Sequence, residues 1–440
     1  MSWRKTIILA LALLVFAIGY WWFEIHLKTK HLRAEIEKTR LLENVYRIRR
    51  FRIETRSGSV EVAQDSITKR WNVIFPVFYP TDNDEVQNVL RAALGVRYTD
   101  VIADSGNPSD YGFAPSPWVK FSAEGKTFYL GDETPTHNGV YAQIDGDSRI
   151  LLVDKQFRTD LLKLPFDLRD KSILPEIDVA NLDTVKIIRP SGKITITKKG
   201  FRWWLTSPII AKASNKIVDN MLNKLISAKA FDFPAENYAD STIKKLKAKI
   251  YARVIFYMSD SAEYSMNIYI SDSMNDTMPE FVYASTNVKN PLFEISEDIY
   301  NLIRTPAELL RERRLFRVGD ADRFVITGPK NFKFECKFRD GNWFLIYPDS
   351  GKANNSEISK MLDRFDALFV DSFVNDSNFK PSGWKFSFYI GTDSIPILIG
   401  DTLNGEIQIK KDSEKEYYLV QDKEILNYCE PDRKKFFNPY

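Results

Sequence analysis

The sequence repeats itself three times, and this repetition limits what the chain can fold into more than any other feature. Each copy carries a tryptophan, a proline five residues later, and apolar residues ten and fourteen positions after the proline. These positions are Trp71, Pro76, Val86 and Leu90; Trp203, Pro208, Val218 and Leu222; and Trp343, Pro348, Ile358 and Leu362. Apolar residues four positions apart share one face of a helix. A repeat of about 130 residues therefore predicts three similar folded units.

Within each unit, the residue pattern predicts a hairpin, a third strand, a helix and further strands, in that order. In the second unit, apolar alternation is interrupted by Pro190, Ser191 and Gly192, which is typical of a β-hairpin. The tryptophan strand ends at its proline, which lacks the N–H that a ladder needs. Capping residues such as Asp82 then begin the helix. This order predicts an α+β fold in which a mostly antiparallel sheet packs against a helix.

The predicted domain boundaries place an N-terminal segment at residues 1–50 and the repeats at residues 51–178, 179–317 and 318–440. Lys and Arg total 62 against 59 Asp and Glu, a net charge of +3, which argues against a nucleic-acid partner. The two cysteines, Cys336 and Cys429, exclude a disulfide-stapled scaffold and a zinc site, and whether they pair is left open. No cofactor is predicted.

Residues 6–23 contain no charge, and at helical rise they give the length of one transmembrane helix. Tyr20, Trp21 and Trp22 close this run as an interfacial aromatic belt would. A cleaved signal peptide is the alternative, but the run lacks the small residues of a cleavage site. The prediction is a single-pass anchor in the inner membrane, with the N-terminus cytoplasmic and the repeats outside. Residues 25–50 then form a helical stalk, through which a weak homodimer is one alternative.

In the first repeat, the tryptophan–proline strand end is followed by Tyr111-Gly112-Phe113, Gly131-Asp132 and a closing Leu-Arg-Asp-Lys at residues 168–171. In this order the motifs resemble a bacterial family of membrane-anchored tandem repeats, domain of unknown function 4340. The resemblance extends over nearly all of the chain beyond Arg50 and is looser in the second repeat. The family is similar to auxiliary components of gliding-motility-type ABC transport systems. The resemblance therefore implies a non-catalytic envelope protein whose partners are separately encoded permease or ATPase subunits.

Two groups of residues recur and are candidate binding residues. Basic clusters around Arg169, Arg311 and Arg433 close the three units and mark either a partner surface or ion pairs inside the fold. Trp118 and Trp384 recur in two units and are either a stacking platform for glycan rings or core residues.

One cluster has residue types suited to catalysis. His137 lies near Asp132 and Glu133 in a loop, as a hydrolase or metal site would require, but the other repeats have no counterpart. The sequence therefore predicts a non-enzymatic accessory or scaffold protein. The rival predictions are a glycan-binding envelope module, which needs Trp118 or Trp384 exposed in a groove, and a hydrolase, which needs His137, Asp132 and Glu133 to converge.

Overall fold

A computed structural model of the chain describes Trp3, Phe16 and residues 20–23, 37–271, 279–375, 378–412 and 414–436. The chain divides into two compact units, Met1–Lys171 and Ser172–Tyr440. Across the described residues, the strands form three nine-stranded sheets with antiparallel pairing, one in the N-terminal compact unit and two in the C-terminal one. Each sheet belongs to one sequence repeat.

The strands of the three sheets follow the same chain order. The first sheet contains β1 (Arg50–Thr55), β2 (Gly58–Gln64), β3 (Trp71–Phe75), β4 (Tyr79–Pro80), β5 (Tyr98–Ala103), β6 (Val119–Ala123), β7 (Lys126–Glu133), β8 (Val140–Ile144) and β9 (Ile150–Val153). The second contains β10 (Leu182–Arg189), β11 (Gly192–Lys199), β12 (Arg202–Ser207), β13 (Ala211–Lys212), β14 (Ala230–Ala235), β15 (Ala248–Met258), β16 (Glu263–Ser271), β17 (Val282–Thr286) and β18 (Leu292–Ile295). The third contains β19 (Arg323–Gly328), β20 (Phe332–Arg339), β21 (Asn342–Tyr347), β22 (Gly351–Lys352), β23 (Ser372–Asn375), β24 (Pro381–Ile390), β25 (Asp393–Leu403), β26 (Glu406–Lys411) and β27 (Glu416–Val420).

The spatial order of the strands is also the same in each sheet: fourth, third, second, first, sixth, seventh, eighth, ninth and fifth. The first four strands form a meander, and the sixth pairs with the first, as β6 does with β1. The fifth strand returns to the opposite edge, where β5 pairs with β9. The helix between the fourth and fifth strands thus connects the two edges of its sheet.

The α-helices whose two ends lie in the described part of residues 40–436 connect strands or follow the last strand of a sheet. They are α1 (Asn83–Gly95), α2 (Lys155–Leu161), α3 (Pro165–Leu168), α4 (Asn215–Ile226), α5 (Asp240–Lys245), α6 (Glu297–Arg304), α7 (Asn355–Ala367) and α8 (Arg433–Phe436). The helix predicted in each repeat is confirmed as α1, α4 and α7. The carboxylate of Asp82 caps α1 by accepting hydrogen bonds from the backbone N–H groups of Asp84 and Glu85.

The repeated tryptophan anchors each core. Trp71, Trp203 and Trp343 are buried, and each strand that carries one ends at the residue before the proline, as predicted. The peptide bond before each of these prolines is cis. The indole N–H of Trp203 also donates a hydrogen bond to Asp219 on α4, 2.7 Å away. The tryptophan therefore joins sheet and helix in the second repeat.

The structure corrects the predicted α+β class with its N-terminal transmembrane helix. Each repeat is mostly β, because nine strands form its sheet and the helices only connect or follow them. One of the nine, the edge strand after the long helix, is not revealed by sequence alternation. Among the described residues, no helix is long and apolar enough to cross a membrane, which overturns the predicted single-pass anchor and inner-membrane localisation. Of residues 6–23, all but Phe16 and residues 20–23 lie outside the described part of the chain.

The predicted stalk is corrected in part. Residues 24–36 lie outside the described residues. The alternative of a weak homodimer through this part of the stalk therefore also falls outside them. Leu41, Leu42, Val45 and Ile48, however, are buried with the first sheet. The end of this segment is therefore part of the first core, because its apolar residues pack there instead of facing solvent.

The two cysteines are free and buried in the core of the third sheet. Burial raises the pKa of both thiols to about 12. Because the thiolate is the reacting form, we expect a disulfide reagent near neutral pH to label neither cysteine in the folded chain, and both after denaturation. Counting thiols by absorbance before and after guanidinium addition checks this. Rapid labelling of the folded chain would contradict it.

Candidate functional site

The predicted basic residues have different surroundings. Arg169 is 7% exposed, its guanidinium lies 4.6 Å from the ring centroid of Tyr79, and its backbone pairs with Thr81. Arg311 pairs in the same way with Ala213. Its guanidinium, however, lies 3.5 Å from the ring centroid of Phe373 and forms an ion pair with Glu416 at 2.6 Å. The arginine of the second repeat thus contacts the third.

Arg433 does not occupy the position of the other two arginines. The carbonyls of Leu168 and Leu310, which precede Arg169 and Arg311, accept hydrogen bonds from the residue that caps the long helix. In the third repeat, the equivalent hydrogen bond runs from Asn354 to Phe436. Arg433 lies three residues before Phe436, in α8. The third basic cluster is therefore out of register with the first two.

The candidate glycan platform is covered in part by other side chains. Trp118 donates a hydrogen bond to Asp132, and the guanidinium groups of Arg56 and Arg158 lie 4.2 and 5.4 Å from its ring centroid. The ring of Trp384 meets Phe332 edge-on at 5.2 Å and also borders a shallow cavity of about 420 Å³. Both residues are half-buried.

The glycine motifs of the first repeat pack against each other. Gly112 has a φ of +75°, which favours glycine. A Cβ on Gly131 would overlap the carbonyl oxygen of Tyr111 and lie 2.9 Å from the ring of Phe113. In the third repeat, a Cβ on Gly400 would similarly lie 2.8 Å from the carbonyl oxygen of Lys380. These motifs therefore serve close packing between a loop and the sheet.

The residues of the hydrolase hypothesis converge only in part. The side chain of His137 is 76% exposed, with Nδ1 3.3 Å from Glu133 Oε1. The Asp132 carboxylate accepts the hydrogen bond from Trp118 instead. In the described part of the chain, no three His, Cys, Asp or Glu residues are grouped as metal ligands would be. This arrangement gives no support to the hydrolase hypothesis.

A groove of about 740 Å³ lies between the second and third sheets, inside the C-terminal compact unit. The groove is lined by β12 and β13 with Ile210 between them, by residues 311–317, by the end of β26 and the start of β27, and by residues of β23 and β25. Seven cationic side chains and three carboxylates line it: Arg202, Lys212, Arg311, Arg314, Arg317, Lys411 and Lys415, with Glu312, Glu414 and Glu416. The lining is therefore strongly basic.

The carboxylates of this groove already have partners. Glu416 pairs with Arg311, and Glu414 lies 3.6 Å from Lys411. Glu312 accepts a hydrogen bond from the backbone N–H of Arg314, 3.2 Å away. Within the described residues, the other five cations make no ion pair. The groove therefore presents unneutralised positive charge.

Apolar surface lies beside this charge. Ile210, in the turn between β12 and β13, is 84% exposed, and Trp204 is half-buried. Lys212 lies 5.9 Å from the ring centroid of Trp204, and Phe373 lies beneath Arg311. An occupant can thus make apolar and charged contacts together.

Backbone hydrogen bonds join the walls of the groove. The N–H of Glu312 donates to the carbonyl of Lys212 at 2.9 Å, on the second-sheet side. On the third-sheet side, the N–H of Val370 donates to the carbonyl of Arg313 at 2.9 Å. The Arg313 guanidinium also donates to the carbonyls of Val370 and Asp371. Residues 311–313 therefore connect the two sheets.

The comparisons with known proteins give one family. Residues 71–204 match the model of Domain of unknown function (DUF4340). The match begins at Trp71 and ends at Trp204, one residue after Trp203, the equivalent of Trp71 in the second repeat. It therefore spans the length of one repeat. No curated protein and no solved structure matches the chain.

Proposed function

We propose that the chain is a non-catalytic scaffold that binds partner proteins, as an accessory subunit of an ABC-type transport machine whose permease and ATPase subunits are separate chains. The observation that supports binding is the basic groove, which two repeats build jointly and which has five cations outside ion pairs in the described residues. Charged grooves of this kind guide the association of oppositely charged partners. The transport assignment is supported by the resemblance of the motifs.

The positions of the family motifs support a non-catalytic role. Gly112, Gly131 and Asp132 are engaged in close packing and in a hydrogen bond with Trp118. These residues are therefore occupied by contacts inside the first repeat. The glycan-binding alternative is less well supported, because Arg56 and Arg158 lie against the ring of Trp118.

Photo-crosslinking in cells tests this function. A benzophenone amino acid is placed at Ile210, which lines the groove, or at Phe201, which is 95% exposed and does not line it. We expect transporter permease or ATPase subunits to be captured from position 210 and not from position 201, as identified by mass spectrometry. Equal capture from both positions, or capture of glycan alone, would contradict the proposal.

A further inference from the structure

We propose that the groove between the second and third sheets binds an acidic, extended segment of a partner protein, with its carboxylates near Lys212 and Lys411 and an apolar side chain on Trp204. This inference rests on the proposed protein-binding function and names the chemistry of the partner.

The position of two like charges supports an anionic occupant. Lys212 comes from the second repeat and Lys411 from the third, and both line the groove. Burial lowers the pKa of Lys411, the paired Glu414 raises it, and the positive charge of Lys212 lowers it by a smaller amount. A carboxylate placed beside both lysines would relieve this repulsion. The fold thus brings together two cations that an acidic ligand would stabilise.

The remaining cations extend this positive surface beyond a single ion site. Arg202, Arg314 and Arg317 are exposed and come from two separate walls. The groove, about 740 Å³, falls in the size range of sites that hold several ligand groups. A chain with carboxylates at intervals could meet cations from both repeats at once.

The mixed lining favours a peptide over a nucleic acid or a free phosphate. Glu312, Glu414 and Glu416 interrupt the positive lining, which a peptide with spaced carboxylates can match and the continuous charge of a nucleic-acid backbone cannot. The exposed Ile210 and the half-buried Trp204 give apolar contacts that inorganic phosphate cannot use. A peptide with acidic and apolar side chains satisfies both parts of the surface.

Fluorescence anisotropy with the purified full chain tests this inference. The probe is a short fluorescein-labelled peptide of glutamate and serine with one tryptophan, and the comparison peptide has lysine in place of glutamate. We expect only the acidic peptide to bind, and salt to weaken its binding. The double variant Lys212→Glu/Arg317→Glu should weaken it about tenfold or more, because like charges then face each other.

The control variant Lys216→Glu changes an exposed lysine on α4, outside the groove, and should leave binding unchanged. Circular dichroism melting of each variant confirms that it is folded. Equal binding by the double variant and the unaltered chain would overturn the inference. So would a single-stranded oligonucleotide or inorganic phosphate that binds as tightly as the acidic peptide, since either result indicates a general anion site.

The two proposals fail in different ways. If the acidic peptide binds through the groove but position 210 captures no transporter subunit, the inference stands and the transport assignment fails. If position 210 captures transporter subunits equally well in the double variant, the accessory function stands and the acidic-segment inference fails.

Discussion

Replacing Trp203 by alanine is expected to lower the free energy of unfolding of the C-terminal compact unit by about 3–5 kcal/mol. The side chain is 2% exposed and belongs to the core of the second sheet. Its removal leaves a cavity and also takes the hydrogen-bond donor from Asp219. Urea unfolding, followed by hydrogen exchange of peptides from residues 172–440, measures the loss.

Two neighbouring variants separate the causes of this loss. Trp203→Phe keeps an aromatic ring in the core and should cost about 1–3 kcal/mol, through the hydrogen bond and the smaller volume. Trp204→Ala truncates the adjacent, half-buried tryptophan of the groove and should cost less than about 1.5 kcal/mol. An equal loss for the Trp203→Ala and Trp204→Ala variants would contradict the assignment of Trp203 to the core and of Trp204 to the groove surface.

Replacing Gly131 by alanine is expected to destabilise the N-terminal compact unit by about 3 kcal/mol. The added methyl would overlap the Tyr111 carbonyl, which belongs to the backbone and cannot turn away as a side chain can. The Tyr111-Gly112-Phe113 loop would have to move away from β7, and Phe113 would lose its contact with Gly131. Urea unfolding followed by hydrogen exchange of peptides from residues 37–171 reports this loss.

Gly95→Ala is the matched control for this variant. Gly95 ends α1 in the same compact unit, and the nearest atom to an added Cβ is 3.9 Å away, on the ring of Phe157. We expect a change within about 1 kcal/mol, because the contact is ordinary and alanine favours helix. If Gly131→Ala were no more harmful than Gly95→Ala, the close approach would not be what requires glycine at position 131.

Local patterns predicted most of the individual elements. The hairpins, the strand ends at the prolines and the starts of α1 and α7 follow from alternation, missing donors and side-chain caps, all of which lie within a few residues. The predicted cap of α4 is wrong in part, because the Ser214 side chain accepts no hydrogen bond from that helix. The edge strand after each long helix was missed, because in β5 consecutive residues such as Val101 and Ile102 are both exposed. Pairing of the sixth strand with the first joins distant residues, and local periodicity carries no information about it.

The groove could be predicted only in part. Arg311 was a candidate because basic residues cluster around it, and the structure places it on the groove. Lys212 and Lys411 lie far apart in the sequence, and only the packing of two sheets brings them together. Arg169 shares the sequence pattern of Arg311 but is buried beside Tyr79. The role of these arginines in partner binding remains a prediction.

The hydrogen bonds of residues 311–313 have a consequence for the thermodynamics of association. Because this segment is hydrogen-bonded to Lys212 on one side and to Val370 on the other, the two walls of the groove are held in position without a ligand. Binding then loses little conformational entropy in the receptor, and most of the ordering cost falls on the incoming peptide. A peptide that is already held in an extended conformation should therefore bind more tightly than a flexible peptide of the same sequence.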